Sequence, residues 1–538
     1  MNRIELEARG WARAGGSQVR GGGHLDHRSR TAEELAASLE ACTTDAAWME
    51  MVSRTNGCFA AVTVREGRTL AAVDRIRSIP LFYAPRSDGT HLSDDAYRLL
   101  PATEAGIDPV ADSEFRLAGY VTGRETLGKD VFQIEAGELI RFDSTREPPL
   151  ERHRYHRFQH RDFVEAEVSR LIAELENVHE GVFRRLMESV GGRTIVVPLS
   201  GGYDSRLIGV ALRDLGARDV VCYSYGIPGN WESRTSQELA RYLGFRWEFV
   251  PYSAQRWQAW TATDSFAGYF HGAGNLTSVP HIQDWPAVLE LQRDERIPRG
   301  SVFVPGHSGD FLAGSHIPKS FARRTTITRR ELLDSLQAAH YALWDWPLDR
   351  QSALRSSLDR RIESVVGPIG DCSAEAAADA FERWDLQERQ AKFICNSVRV
   401  YESFGFDWRL PLFDHELMDF WSRIPVDLRL GRNLYFEFAR RRQVMPVTPP
   451  NRDHGAGMSA MIRTLEHAGL RPAAKRAQRM LRRLRWRGVR KSSPLAWLEL
   501  IDADEFRRTY TGNELMHSYL ALRYRDLAAG AIAASTPA

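Results

Sequence analysis

Apolar and polar residues alternate over short runs in the first third of the chain and recur at helical spacing in the rest. The clearest β-signals start at Gly57. Cys58 to Val64 reads as a strand, Glu66-Gly67 as a hairpin turn, and Thr69 to Val73 as the returning strand. Ile79 to Tyr83 and His91 to Ser93 add short strands, and Val131 to Phe142 adds a pair around Glu135-Ala136-Gly137. Upstream, Arg20-Gly21-Gly22-Gly23-His24 reads as a loop, and Thr31 to Leu39 as a short capped helix. Asp143 to Pro149, polar with two prolines, reads as a linker closing a β-rich domain over residues 1–150.

The second part, residues 160–538, carries a different rhythm. Phe163 to Val190 has apolar residues at helical spacing. Thr194 to Val197 is β-branched, as suits a strand buried on both faces. Leu207 to Leu215 is helical, Asp219 to Tyr225 a strand, Ser233 to Leu243 a helix, and Trp247 to Pro251 and Ser301 to Val304 further strands. Strands alternating with helices at these spacings predict an α/β fold with a doubly wound parallel sheet. From about Thr328 the chain reads as mostly helical. Such sheets bind ligands at the carboxyl ends of their strands, where Ser200-Gly201-Gly202 and Tyr225-Gly226 fall.

Composition narrows the class. At 538 residues the chain is too long for one ordinary core, and 43% apolar with 26% charged residues is globular usage. A formal net charge of +2 argues against a globally nucleic-acid-binding surface. The five cysteines are scattered without a CxxC pair, so neither a disulfide framework nor a zinc site is expected. With no apolar h-region at the start and no long apolar run, the expectation is a cytoplasmic protein.

The chemistry points to the turn after Val197. Gly201 and Gly202 remove the Cβ atoms that block backbone approach to a bound group. Asp204 and Ser205 sit at a helix start, where free N–H groups and the dipole favour an anion. No Lys follows the glycines, which excludes the GxxxxGK[ST] loop.

Ser200-Gly201-Gly202-Tyr203-Asp204-Ser205 resembles the SGGxDS pyrophosphatase loop of the asparagine synthetase family and its relatives, the β-lactam synthetases and lasso-peptide cyclases. Gly306 to Gly314 resembles the family's GEGADELFGG block, and Arg399 through Asp414 its DRxSMAxGxExRxPFLD block. Asn56-Gly57-Cys58-Phe59-Ala60, Asp74-Arg75 and Pro80 to Tyr83 resemble NGxFAF…DRxGxxPLYY of the amidotransferase domain. The resemblance spans most of residues 55–445. It implies an Ntn-like β-sandwich of the class II glutamine amidotransferase kind ahead of an adenine-nucleotide-alpha-hydrolase-like synthetase domain.

Departures from the family pattern bear on function. The family's glutaminase uses a Cys exposed after Met removal; position 2 is Asn2, so glutamine hydrolysis is expected to be absent, or the start of the chain to be misplaced. His307 stands where the family has Glu, or Tyr in the β-lactam synthetases, and is a candidate base or a structural loop histidine. Glu402 is a candidate to orient His307, or an ion-paired side chain with no such role. Arg432 is a candidate for the family's pyrophosphate lysine.

The resemblance implies adenylation of a carboxylate by ATP with Mg²⁺, then displacement of AMP by an amine or ammonia. Ser200, Gly201, Gly202 and Ser205 would cradle pyrophosphate, and Asp204 and Asp310 would hold magnesium. Leu199, Tyr225, Pro305 and Gly306 would hold adenine and ribose. Asp310, ahead of Phe311-Leu312, is also placed as a helix N-cap. The expected partners are a small-molecule, sugar or peptide carboxylate and a nitrogen donor. An intramolecular cyclase of the β-lactam or lasso kind and a non-catalytic biosynthetic scaffold are the alternatives. Arg471 to Lys491, with ten Lys or Arg residues and interleaved Met480, Leu481, Leu484 and Trp486, reads as a solvated helix or a contact for an anionic membrane or carrier.

Overall fold

The strands of the first half are buried on both faces, and their side chains divide by period two. Ala60, Val62, Ala71 and Val73 share a core with Phe82, Tyr83 and Leu92, whereas Phe59, Ala61, Leu70 and Ala72 pack with Leu35, Trp48 and Val52 of two helices. The computed structural model describes residues 3–87, 89–100, 106–321, 324–344, 346, 351–368, 370–444, 493–502, 504–505 and 515–535. The basic stretch 471–491 and Asn2 lie outside these residues.

A seven-stranded sheet runs in the order Leu150–Arg154, Glu138–Asp143, Arg68–Val73, Asn56–Arg65, Ser17–Leu25, Trp11–Ala14, with Arg28–Arg30 paired to Ser17–Leu25. A four-stranded sheet faces it: Arg3–Glu5, Gly89–Ser93, Phe82–Arg86 and Phe132–Gln133. The helix Ala32–Ala41 starts at a full capping box, Thr31 to the Glu34 N–H and Glu34 back to the Thr31 N–H.

Two sequence expectations are corrected here. The glycine run Gly21-Gly22-Gly23 is not a loop but the middle of the Ser17–Leu25 strand, paired with Phe59, Cys58 and Gly57. A Cβ on Gly57 would run into Gly22 and Gly23, so the glycines serve close strand approach rather than a turn. Asp143 to Pro149 is not a linker either. It is the turn of a hairpin, because Leu150–Arg154 pairs antiparallel with Glu138–Asp143.

The second half is built on a five-stranded, wholly parallel sheet in the order Arg246–Pro251, Val220–Gly226, Ile195–Pro198, Val302–Phe303, Asp407–Trp408. Later strands lie on both sides of Ile195–Pro198, so the crossover direction reverses there, the position at which such sheets open a ligand crevice. The preceding helix runs Val168–Val190 and ends on Gly191 at φ 62°. Helix Ala374–Asp385 continues into nine residues of π-helix, Leu386–Ile394.

That π-helical stretch ties the halves together. Lys392 Nζ donates to Val121 O at 3.2 Å, to Gly123 O and to Glu388 Oε2 at 2.6 Å, with both charged side chains fully buried. Glu388 also accepts the Gly123 N–H at 3.0 Å, and Gln387 donates to Glu135 at 2.8 Å. Among the described residues no helix is long and apolar enough to cross a membrane.

Candidate functional site

The strand Ile195–Pro198 delivers the chain to Leu199, whose N–H still pairs with Tyr223 O at 3.0 Å. Beyond it the backbone turns through Ser200 and Gly201 into helix Tyr203–Asp214, with Gly202 as a cap that offers no side-chain hydrogen bond. The first N–H groups of this helix therefore lack the usual side-chain acceptor. The turn is braced from inside: Gly202 N donates to Ser200 Oγ at 3.1 Å, and Ser200 N to Ser205 Oγ at 3.2 Å. A Cβ on Gly201 would sit 2.7 Å from the Trp231 ring. What results is a short cradle at the carboxyl end of the central strand, electropositive by its backbone.

The segment after Val302–Phe303 packs directly against this cradle. A Cβ on Gly306 would sit 2.7 Å from Ser205 N, and one on Gly309 3.0 Å from Asp204 Cγ. Glycine at both places lets the segment close in and brings Asp310 to Asp204. The Asp310 N–H donates to Asp204 Oδ2 at 3.2 Å, and the Tyr435 hydroxyl donates to Asp204 Oδ1. Burial first, and the charge of Asp310 second, push the Asp204 carboxyl up to about 7. Arg432 Nη1 lies 3.4 Å from Asp310 Oδ2 and its guanidinium 4.6 Å from the Phe436 ring. Arg432 thus places a cation beside the carboxylate pair.

This donor set fits magnesium. Among the described residues no three His, Cys, Asp or Glu side chains form a metal group of their own. Two carboxylates are what Mg²⁺ takes from protein when phosphate oxygens and water complete its shell.

The remaining candidates divide. Leu199 and Pro305 are buried beside the turn, and Gly306 is part of its wall. Tyr225 is at the end of the neighbouring strand, but its hydroxyl is engaged by half-buried Asp284, which Tyr401 also reaches at 3.2 Å. His307 Nε2 pairs with Ser397 Oγ at 2.7 Å, and burial lowers the ring's pKa to about 4. The expectation that Glu402 orients His307 is corrected. Its carboxylate is consumed by Arg399 at 2.6 Å, Arg20 at 2.9 Å and Trp408 Nε1 at 2.9 Å, on the far side of the sheet edge toward the N-terminal half.

A dyad absent from the sequence reading stands in this region instead. His316 Nδ1 is 2.7 Å from Asp385 Oδ2, and Asp385 also accepts from Gln390 Nε2 at 2.8 Å. Gln390 in turn accepts from Ser308, beside His307. Asp385 is fully buried, whereas the His316 side chain is 30% exposed, its ring tilted against Phe311 with centroids 5.5 Å apart. Burial opposes the imidazolium, yet Asp385 raises the His316 pKa above its ordinary value, with Arg389 working against it and Asp310 adding to the rise. The partners are 69 residues apart in sequence, and only the π-helical register of Gln390 marks the place.

No family model matches the chain and no curated protein is similar to it. Among solved structures, an NH3-dependent NAD synthetase from Campylobacter jejuni in complex with nitrate is similar over 37% of this chain and 95% of its own, at 15% identity and TM-score 0.19. A glutamine phosphoribosylpyrophosphate amidotransferase from B. subtilis with ADP and GMP is similar over 55% and 63%, at 12% identity and TM-score 0.18. A structure described as the allosteric regulatory enzyme of purine biosynthesis is similar over 44% and 62%, at 14% identity and TM-score 0.18. The chain thus covers less than two thirds of the length of the last two structures.

Proposed function

We propose that the chain is an ATP-dependent ligase that forms AMP and diphosphate while joining a carboxylate to a nitrogen nucleophile. One observation carries this reading: Asp204 and Asp310 meet at the uncapped first turn of a helix, at the carboxyl end of the central parallel strand. A triphosphate lying there meets backbone N–H groups at one end and Arg432 at the other. Magnesium, held by Asp204 and Asp310, would neutralise charge on the departing diphosphate.

In the first step a substrate carboxylate oxygen attacks the α-phosphorus and the bond to diphosphate breaks, leaving an acyl-adenylate. In the second the amine attacks the acyl carbon, AMP leaves, and the amine proton passes to a base. His316 is the better base. Its Nδ1 is held by Asp385, which leaves Nε2 to accept the proton, and its pKa is raised rather than depressed. His307, lowered to about 4, is a weak acceptor and lines the floor beside Ser397.

ATP–diphosphate exchange over aspartate, sugar uronates and peptide carboxylates tests the assignment. Exchange with at least one class, lost in Asp204→Ala, is expected. Absence of exchange with every carboxylate would instead favour a non-catalytic scaffold.

A further inference from the structure

A second opening lies away from the glycine turn. A cavity of about 580 Å³ lies between the Ser17–Leu25 and Asn56–Arg65 strands on one side and helix Val168–Val190 with the Asp407–Trp408 sheet edge on the other. None of residues 199–205 or 305–310 lines it, so it is separate from the proposed ligase site. Its volume is that of a small-molecule pocket.

Its walls are unbalanced in charge. Seven arginines and four carboxylates line it. Three of the arginines have carboxylate partners: Arg20 with Glu402 at 2.9 Å, Arg185 with Asp414 at 2.8 Å and Arg193 with Asp407 at 2.5 Å. The other four, Arg9, Arg30, Arg75 and Arg409, form no ion pair among the described residues. Arg75 donates only to Ser53 O at 2.6 Å, and Arg409 only to Ser189 and its neighbour's carbonyl. The Nε atoms of Arg30 and Arg75 are buried with no hydrogen-bond partner among the described residues. A buried guanidinium N–H without an acceptor is costly, and the fork geometry of arginine matches carboxylate and phosphate oxygens.

The contrast with Arg185 is informative. Arg185 is desolvated too, yet its bonds to Asp414 and Glu416 raise its pKa, whereas burial lowers Arg75 and Arg409, which lack such bonds. Cys58 is on the same wall, but burial pushes its thiol up to about 12, so the cavity holds no thiolate nucleophile. The chamber is built to bind an anion rather than to react with one.

We propose that this cavity binds a small organic polyanion carrying at least two carboxylate or phosphate groups, held by Arg30, Arg75 and Arg409. One acidic group is too few for arginines spread over both walls, and the cavity's volume is too small for a folded partner. The ligand bridges the halves of the molecule, because Arg30 and Arg75 come from the N-terminal sheet region and Arg409 from the parallel-sheet edge.

Isothermal titration of the full-length chain with citrate and, separately, with 3-phosphoglycerate tests this, against acetate as the monoanion. Saturable binding of at least one polyanion, weakening with added salt and much tighter than acetate, is expected. The variant Arg30→Gln/Arg409→Gln should weaken it by at least roughly tenfold, which is about 1.4 kcal/mol. Should that variant fail to fold, Arg9→Gln/Arg30→Gln, at the more exposed rim, supplies the same readout. ATP–diphosphate exchange should persist in both variants, since neither touches the glycine turn. Binding no tighter than acetate, or equal binding in a folded variant, overturns the proposal.

Discussion

The backbone N–H of Asp310 donates to the carboxylate of Asp204 at 3.2 Å, so the two acidic residues are joined by a bond that turns their charges toward one space. Asp204 answers with a pKa of about 7 instead of the ordinary 3.8. A carboxyl raised in the folded state stabilises the fold below its unfolded value, and that contribution disappears as pH rises through the folded value.

Wild-type protein should accordingly lose stability between about pH 4 and pH 7 when magnesium is withheld. Asp204→Asn should gain about 1 to 2 kcal/mol over wild type at pH 8 without magnesium, and lose all ATP–diphosphate exchange. Added Mg²⁺ should stabilise wild type more at pH 8 than at pH 5 and leave the variant unmoved. Urea melts at both pH values give the comparison, and parallel melts for the two proteins would contradict it.

Substituting His316 should separate the half-reactions. His316→Gln keeps the adenylating residues, so exchange should stay within about threefold while amide formation falls by roughly 10²- to 10⁴-fold. Wild-type amide formation should rise with pH through the His316 pKa, set by Asp385, Arg389 and Asp310 around it. Asp385→Asn removes the charge that raises this pKa, so the midpoint should move to lower pH. A midpoint that stays put would leave Asp385 as packing only.

Gly306→Ala tests the close approach that assembles the pair. Its Cβ would meet Ser205 N at 2.7 Å, backbone that cannot swing aside. The expected cost is about 1 to 3 kcal/mol of stability, together with a raised KM for ATP in the exchange assay. Unchanged KM and melting would show that the segment has slack.

Lys392→Met should be among the most damaging single changes outside the turn. It strands Glu388, already pushed up to about 7 by burial, and removes the charged donor from the Val121 and Gly123 carbonyls, leaving them to Gln133 Nε2. A loss of about 3 to 5 kcal/mol is expected, with Lys392→Met/Glu388→Gln recovering part of it. Denaturant midpoints report this directly, and a double variant no better than the single one would argue against the charge account.

The parts of the fold that repeat locally were readable from the chain alone. Thr194 to Val197 followed by two glycines and Leu207, Ile208, Ala211 gives strand, turn and helix by spacing, and the structure adds only the sheet order. Gly21-Gly22-Gly23 misled because glycine marks turns by default, and only the opposing Gly57 reveals that close strand pairing is the reason for it. Leu150–Arg154 carries four polar or charged positions after Leu150, with no apolar stripe, and is held by hairpin pairing, not by a buried face. Glu402 could be read either as orienting His307, by analogy with the relatives, or as an ion-paired side chain; the fold turns it toward Arg20 and Arg399, and sequence spacing holds no information on that direction. The His316–Asp385 contact joins two segments with no shared pattern, so nothing in the chain could announce it.

The π-helical stretch Leu386–Ile394 has a consequence for how the two halves depend on each other. On one side Gln387, Glu388 and Lys392 are keyed to Glu135, Val121 and Gly123 of the N-terminal half; on the other Gln390 fixes Asp385 and Ser308. Rewinding to α-helical register would turn all of these side chains together. The N-terminal half thus behaves as a jig: it contributes no residue to the glycine turn, yet it clamps the register on which the Asp385–His316 pair depends. A parallel-sheet half transplanted without it would carry every residue of the dyad and hold none of them in register.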